Sequence, residues 1–105
     1  MNQIAPKDLK ARLDRRDPIV LVDVRQDWET KLCRLENAMH IPIEEIEYRV
    51  EELKPEDEIV VCCHAGQRSA AVAEYLTRLG FKNVKNLLGG LDHWAQVVDP
   101  NMPRY

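Results

Sequence analysis

Two uninterrupted apolar runs, IVLVDV (Ile19 to Val24) and EIVVCC (Glu58 to Cys63), constrain the fold of this chain more than any other feature. Both are rich in β-branched residues and neither alternates apolar with polar, so each predicts a strand covered on both faces, as in a parallel sheet. Amphipathic helices are expected around them. Pro6 to Arg16 opens with proline in a first helical turn and sets Leu9 and Leu13 four apart, and Asp17-Pro18 ends it. Ile43 to Leu53 carries Ile43, Ile46, Val50 and Leu53 at helical spacing, with glutamates on the other face. From Ser69 onward, Val72, Ala73, Leu76 and Leu79 form one stripe that stops at Gly80. NVKNLLGG reads as a short strand into a turn, GLDHWAQVV as a last helix, and DPNMPRY as a surface strap. Short apolar strands alternating with amphipathic helices imply an α/β fold, a parallel sheet with helices on both faces.

At 105 residues, the chain is expected to form a single domain, residues 1–105. A net charge of −3 argues against nucleic acid or an anionic membrane as the main partner, since either favours a strongly basic surface. No apolar run approaches the roughly 20 residues a membrane helix requires, and MNQIAPKDLK lacks an apolar signal core, so a cytoplasmic location is expected. Three cysteines, two of them adjacent, fit reduced thiols better than a disulfide framework. His40 and His93 lack partners at ligand spacing, and adjacent Cys62, Cys63 and His64 cannot readily wrap one tetrahedral ion, so neither a metal nor another cofactor is expected.

In parallel α/β sheets, ligands sit beyond the carboxyl ends of the strands. The segment CCHAGQRS, Cys62 to Ser69, is where a core strand ends in reactive residues and a helix follows at once. With Cys62 as the last strand residue, the chain reverses through His64-Ala65-Gly66-Gln67-Arg68 before a helix starting near Ser69. The backbone N–H groups of such a turn, with those of the new helix, converge on a concavity that favours negative charge. Gly66 permits a positive φ or a close approach there. A thiol in this field, with Arg68 nearby, is expected to ionise readily, which makes Cys63 a candidate nucleophile. Strand periodicity turns Cys62 to the opposite face, where it packs as a small buried hydrophobe.

On these residues the chain resembles the single-domain rhodaneses, the thiosulfate sulfurtransferase family. LVDVRQDWE (Leu21 to Glu29) resembles the family's strand and acidic loop, with Asp23 and Arg25 in their fixed places. CHAGQRS resembles its active-site loop, and NLLGGLDHWAQVVDP (Asn86 to Pro100) its closing helix and tail. CRLENAMHIP departs from the pattern: Arg34 stands where His is usual and Asn37 where Gly is usual, although Asn tolerates left-handed backbone.

The resemblance implies a rhodanese-like, five-stranded, mainly parallel sheet and a persulfide mechanism. The Cys63 thiolate would take a sulfane sulfur from a donor such as thiosulfate and pass it to a thiol or protein acceptor. The amides of Ala65, Gly66, Gln67 and Arg68 would stabilise the persulfide, the Arg68 side chain would hold an anionic donor, and His64 and Gln67 would line the rim. Related phosphatases have a longer loop; the four residues here, His64 to Gln67, leave a cradle suited to one sulfur.

Asp23 and Arg25 are read as a charged pair holding loops in place, a supporting role shared with Ser69 at the helix start. Trp94 is read as a core anchor, and Trp28 as either rim or packing. Two other functions stay open: a non-catalytic binding module of the same fold, and a thiol redox sensor pairing Cys63 with Cys33 or Cys62.

Overall fold

In the computed structural model, which describes residues 2–105, the two apolar runs become neighbouring strands at the middle of one sheet. Its five strands are β1 (Asn2–Ile4), β2 (Ile19–Asp23), β3 (Met39–His40), β4 (Glu58–Cys62) and β5 (Asn83–Leu87). They lie in the order β1-β5-β4-β2-β3, and all four pairings are parallel, so the sheet is wholly rather than mainly parallel. Strands β1 and β3, of three and two residues, are edge strands too short to show any periodicity.

Helices α1 (Pro6–Asp14), α2 (Asp27–Leu32), α3 (Ile46–Arg49), α4 (Gln67–Arg78) and α5 (Gly90–Val97) complete the order. No helix among the described residues is long and apolar enough to cross a membrane. The pleat divides the core in two. Val22, Val24, Ile59, Val61 and Cys63 pack with Val72, Ala73 and Leu76 of α4 and with Ile46 of α3. Leu21, Val60 and Cys62 pack on the other side with Leu9 of α1 and with Leu91 and Trp94 of α5. The two central strands are therefore apolar at successive positions, Ile19–Val22 in β2 and Ile59–Cys62 in β4, because each face has a helix layer to bury against. Cys62 and Cys63 fall on opposite sides of the sheet, as strand periodicity predicts.

Several boundaries differ from the sequence reading. Ile43 to Leu53 is not one helix but a 3-10 turn (Ile43–Glu45), the short α3, and a second 3-10 turn (Val50–Glu52). Tertiary bonds override its periodicity: the Ile43 N–H is held by Val24 O at 3.1 Å, and Arg49 reaches His40 O at 3.2 Å while pairing with Glu45 and Glu52. Helix α1 stops at Asp14 rather than Arg16, because Arg16 turns left-handed at φ 61°. Leu79 is exposed beyond the end of α4, which Gly80 terminates at φ 100°. Helix α2, unforeseen from periodicity, is nucleated by a capping box in which Gln26 and Glu29 satisfy each other's backbone N–H groups.

Candidate active site

Strand β4 delivers Cys63 to the carboxyl edge of the sheet, and the chain turns over it at once. Gly66, at φ 98°, takes the left-handed conformation that caps α4, so the helix begins at Gln67, two residues earlier than Ser69. That early start brings the first helical turn down onto the thiol. Cys63 Sγ accepts from the Gly66 N–H at 3.1 Å, the Ser69 N–H at 3.4 Å and the Ser69 hydroxyl at 3.3 Å. Three donors converge on a sulfur that is only 1% exposed. Gln67 and Arg68, also in the first turn of α4, present N–H groups with no helical acceptor behind them.

The loop keeps its amides inward because its carbonyls are taken from outside. Leu91 N–H donates to Cys63 O at 2.9 Å and Asp92 N–H to His64 O at 3.0 Å, so the N-terminus of α5 grips the loop from behind. This grip requires glycine at 90, since a Cβ there would lie 2.4 Å from His64 O and 2.6 Å from Cys63 O. Buried Asn86 adds a second clamp: its Nδ2 donates to Gly66 O at 3.1 Å, and its Oδ1 accepts from the Ser69 hydroxyl. The single Ser69 hydroxyl proton therefore has two acceptors, Asn86 Oδ1 and Cys63 Sγ, and an anionic sulfur is the stronger attraction.

Beside the cradle lies a charged lattice. Asp23 and Arg25 are both buried and joined at 2.8 Å, and Arg25 also donates to Cys33 O at 2.6 Å and Glu29 O at 3.4 Å. The pair therefore ties the end of β2 to the backbone of α2 and of Cys33. The Arg68 guanidinium is paired: its two terminal nitrogens donate to Glu29 Oε1 and Oε2 at 2.7 and 2.9 Å. The cause is Glu29 itself, a carboxylate only 3% exposed, which needs compensating donors. The Arg68 side chain, then the Tyr105 phenol and the Gln26 N–H, hold the Glu29 pKa down to about 2 against the cost of burial.

His64 is half-buried, and its Nδ1 has no hydrogen-bond partner among the described residues. Ala65 and Gln67 are exposed at the mouth of the loop. Ser69 is fully buried. Burial, then the nearby Asp23 carboxylate, pushes the Cys62 thiol well up, which favours an inert packed thiol. Cys33 is half-buried, its Sγ 3.7 Å from Arg25 Nη1, and all three cysteines are free. Trp94 is buried in the core while Trp28 is exposed, edge-on to Tyr105. Asn37 adopts φ 66°, the left-handed turn its position needs, and Arg34 is exposed. A cavity of about 510 Å³ lies at the other end of β2, against Leu13, Ile19, Leu21, Leu35 and Trp94. The thiol site is a closed cradle instead.

Three residues of this site were not singled out from the sequence: Glu29, Asn86 and Tyr105. Glu29 carried a signal as the third residue of a capping box after Gln26; Asn86 and Tyr105 carried none, since only the tertiary fold brings them to the loop.

The profile of the rhodanese-like domain matches residues 5–97. A protein named sulfurtransferase from Allochromatium vinosum is 31% identical over 96 residues, covering 91% of this chain and 90% of its own. The adenylyltransferase and sulfurtransferase MOCS3 of Arabidopsis thaliana is 30% identical over 120 residues, covering 99% of this chain. This chain spans 26% of the length of that protein, and 50% of the Bacillus subtilis protein YrkF, which is 34% identical over 93 residues. The crystal structure of a rhodanese-like domain protein from Staphylococcus aureus superposes with a TM-score of 0.86 at 31% identity, covering 100% of this chain and 99% of that one.

Proposed function

This chain belongs to the rhodanese-like domain family, and from that premise we propose that it transfers a sulfane sulfur through a persulfide on Cys63, from an anionic donor such as thiosulfate to a thiol acceptor. Relatives named sulfurtransferases support sulfur transfer as the general class of activity. The observation that carries the finer reading is the set of three donors, Gly66 N–H, Ser69 N–H and Ser69 Oγ, aimed at one sulfur. Donors fixed in advance stabilise a thiolate without a general base, because they lower the cost of the charge rather than removing a proton.

In the first half-reaction the Cys63 thiolate attacks the outer sulfur of thiosulfate. A bond forms between Sγ and that sulfur, the donor's own S–S bond breaks, and its electron pair leaves with sulfite. The new terminal sulfur carries the negative charge and meets the N–H groups of Ala65, Gln67 and Arg68 at the mouth of the loop. Arg68, oriented by Glu29, keeps positive charge beside the leaving group, and His64 lines the approach. In the second half-reaction an acceptor thiolate attacks the terminal sulfur, carries it away as a persulfide, and returns the Cys63 thiolate.

Intact-mass measurement after exposure to thiosulfate tests this reading. Wild type should gain one sulfur atom, lose it on addition of a small thiol, and Cys63→Ser should gain none. Sulfur uptake by Cys63→Ser, or its loss in Cys62→Ala alone, sinks the assignment.

A further inference from the structure

The thiol that must meet a donor is 1% exposed, and the segment after α5 packs against its loop at His64. Pro103, Arg104 and Tyr105 lie against His64, Leu91 and Asp92 with no room for a water between them. Arg104 Nε and Nη2 donate to the two Asp92 carboxylate oxygens at 2.9 and 3.2 Å. The Tyr105 ring sits 4.2 Å from the His64 ring, centroid to centroid, and meets Trp28 edge-on at 5.4 Å. Its hydroxyl donates to Glu29 Oε2 at 2.6 Å and accepts from Arg25 Nη1 at 3.0 Å. One side chain thus joins the catalytic loop, α2 and the buried charge lattice.

We propose that residues 102–105 form a lid over the Cys63 loop, and that Tyr105 decides which molecules reach the thiol. The contacts are built to be released. Tyr105 is still 39% exposed, so water can replace what its hydroxyl gives up. When it leaves, Glu29 keeps both bonds from Arg68 and the one from the Gln26 N–H, and Arg25 keeps Asp23 and Cys33 O. No buried charge is left without a partner, which is the condition for an inexpensive opening. The Val98 and Asp99 N–H groups are tied to Trp94 O, and past Asp99 the backbone bonds stay within one turn, Met102 N–H to Asp99 O at 3.0 Å and Asn101 N–H to Asp99 Oδ1 at 3.1 Å, so the turn from Asp99 to Met102 is the natural hinge. Opening leaves a cleft walled by Trp28 and His64, with the unpartnered His64 Nδ1 beside it. A partial swing of the strap admits small anions and slender thiols, while bulky acceptors need the full displacement of Tyr105.

The lid rests on the reading of Cys63 as the sulfur-carrying residue, but its test reads access rather than sulfur chemistry. The native protein is alkylated with iodoacetamide or with a bulky maleimide, and Cys63 modification is followed over time by peptide mass. In wild type, Cys63 should react slowly, and far more slowly with the maleimide. Removing the aromatic contacts and the charge-assisted hydroxyl bond in Tyr105→Ala should speed maleimide labelling about tenfold or more and narrow the gap between reagents. Tyr105→Phe, which keeps the ring, and Arg104→Ala, which releases the strap at Asp92, should give intermediate rates with an unchanged melting temperature. Equal rates in wild type and Tyr105→Ala overturn the lid, as does faster labelling in Tyr105→Ala that tracks only a lowered melting temperature while the other two variants match wild type. Faster labelling in a protein that takes no sulfur from thiosulfate would keep the lid and discard the transfer reading.

Discussion

Glu29 and Arg68 meet through two parallel hydrogen bonds of 2.7 and 2.9 Å, tying the first turn of α4 to α2 beside the thiol cradle. The pair makes Arg68 a fixed charge at the mouth of the loop. Its carboxylate is buried and its guanidinium about one-third exposed, so attraction is screened on one side only.

This asymmetry predicts an acid-labile stability. The Glu29 pKa lies at about 2, held down first by Arg68, and that of Glu58 at about 2, held down first by Arg12 and then Lys85, against the ordinary 4.5. A carboxyl whose pKa is depressed on folding adds stability above its unfolded pKa, and that stability is lost as pH falls from about 4.5 toward 2. Urea midpoints should therefore hold steady at neutral pH and fall across that window. Glu29→Gln should be about 2 kcal/mol less stable than wild type at neutral pH and lose less on acidification. A variant as acid-sensitive as wild type would contradict the role given to Glu29.

Gly90→Ala should damage the loop from behind. The added methyl would stand 2.4 Å from His64 O at a residue with φ 66°, so either the loop or the start of α5 must move. A loss of about 3 kcal/mol in denaturant unfolding is expected, together with loss of sulfur uptake. A variant with normal uptake would show that the grip of α5 on the loop is dispensable.

Ser69→Ala removes one of the three donors on the Cys63 sulfur while leaving the Ser69 N–H in place. A hydroxyl aimed at the sulfur supports negative charge there, so its loss should slow sulfur uptake from thiosulfate about tenfold at neutral pH. An unchanged uptake rate would mean that the hydroxyl proton stays on Asn86.

Cys62 should prove dispensable for chemistry and relevant to packing. Cys62→Ala should take up sulfur at the wild-type rate and cost about 1 kcal/mol. Cys62→Ser, which buries a hydroxyl in an apolar cluster, should cost about 1–3 kcal/mol. Thermal melts and intact masses measured side by side would reveal any reversal of these roles.

The central strands were legible because burial on both faces leaves an unbroken apolar run, a pattern local enough to read from Ile19 to Val24 and Glu58 to Cys62. The opposite facing of Cys62 and Cys63 followed from the same pleat. Edge strands β1 and β3 were not legible, since two or three residues acquire their identity only from the neighbour they pair with. The segment from Ile43 to Leu53 misled because its spacing is helical while its start is pinned to Val24 O and its Arg49 side chain to His40 O. Gly66 declared the turn, but the start of α4 at Gln67 emerged only from the left-handed cap at that glycine.

By itself the sequence determined a parallel α/β core and a cysteine at a strand end, followed by a glycine turn and an arginine five residues on, because pleat, helix period and turn chemistry act over a few residues. Only the tertiary structure decided that Arg68 is spoken for by Glu29, that Asn86 and α5 hold the loop from behind, and that Tyr105 lies against His64 and bonds Glu29. These partners lie far apart along the chain. Their meeting depends on the order of strands in the sheet, a property of the packed whole that no local pattern encodes.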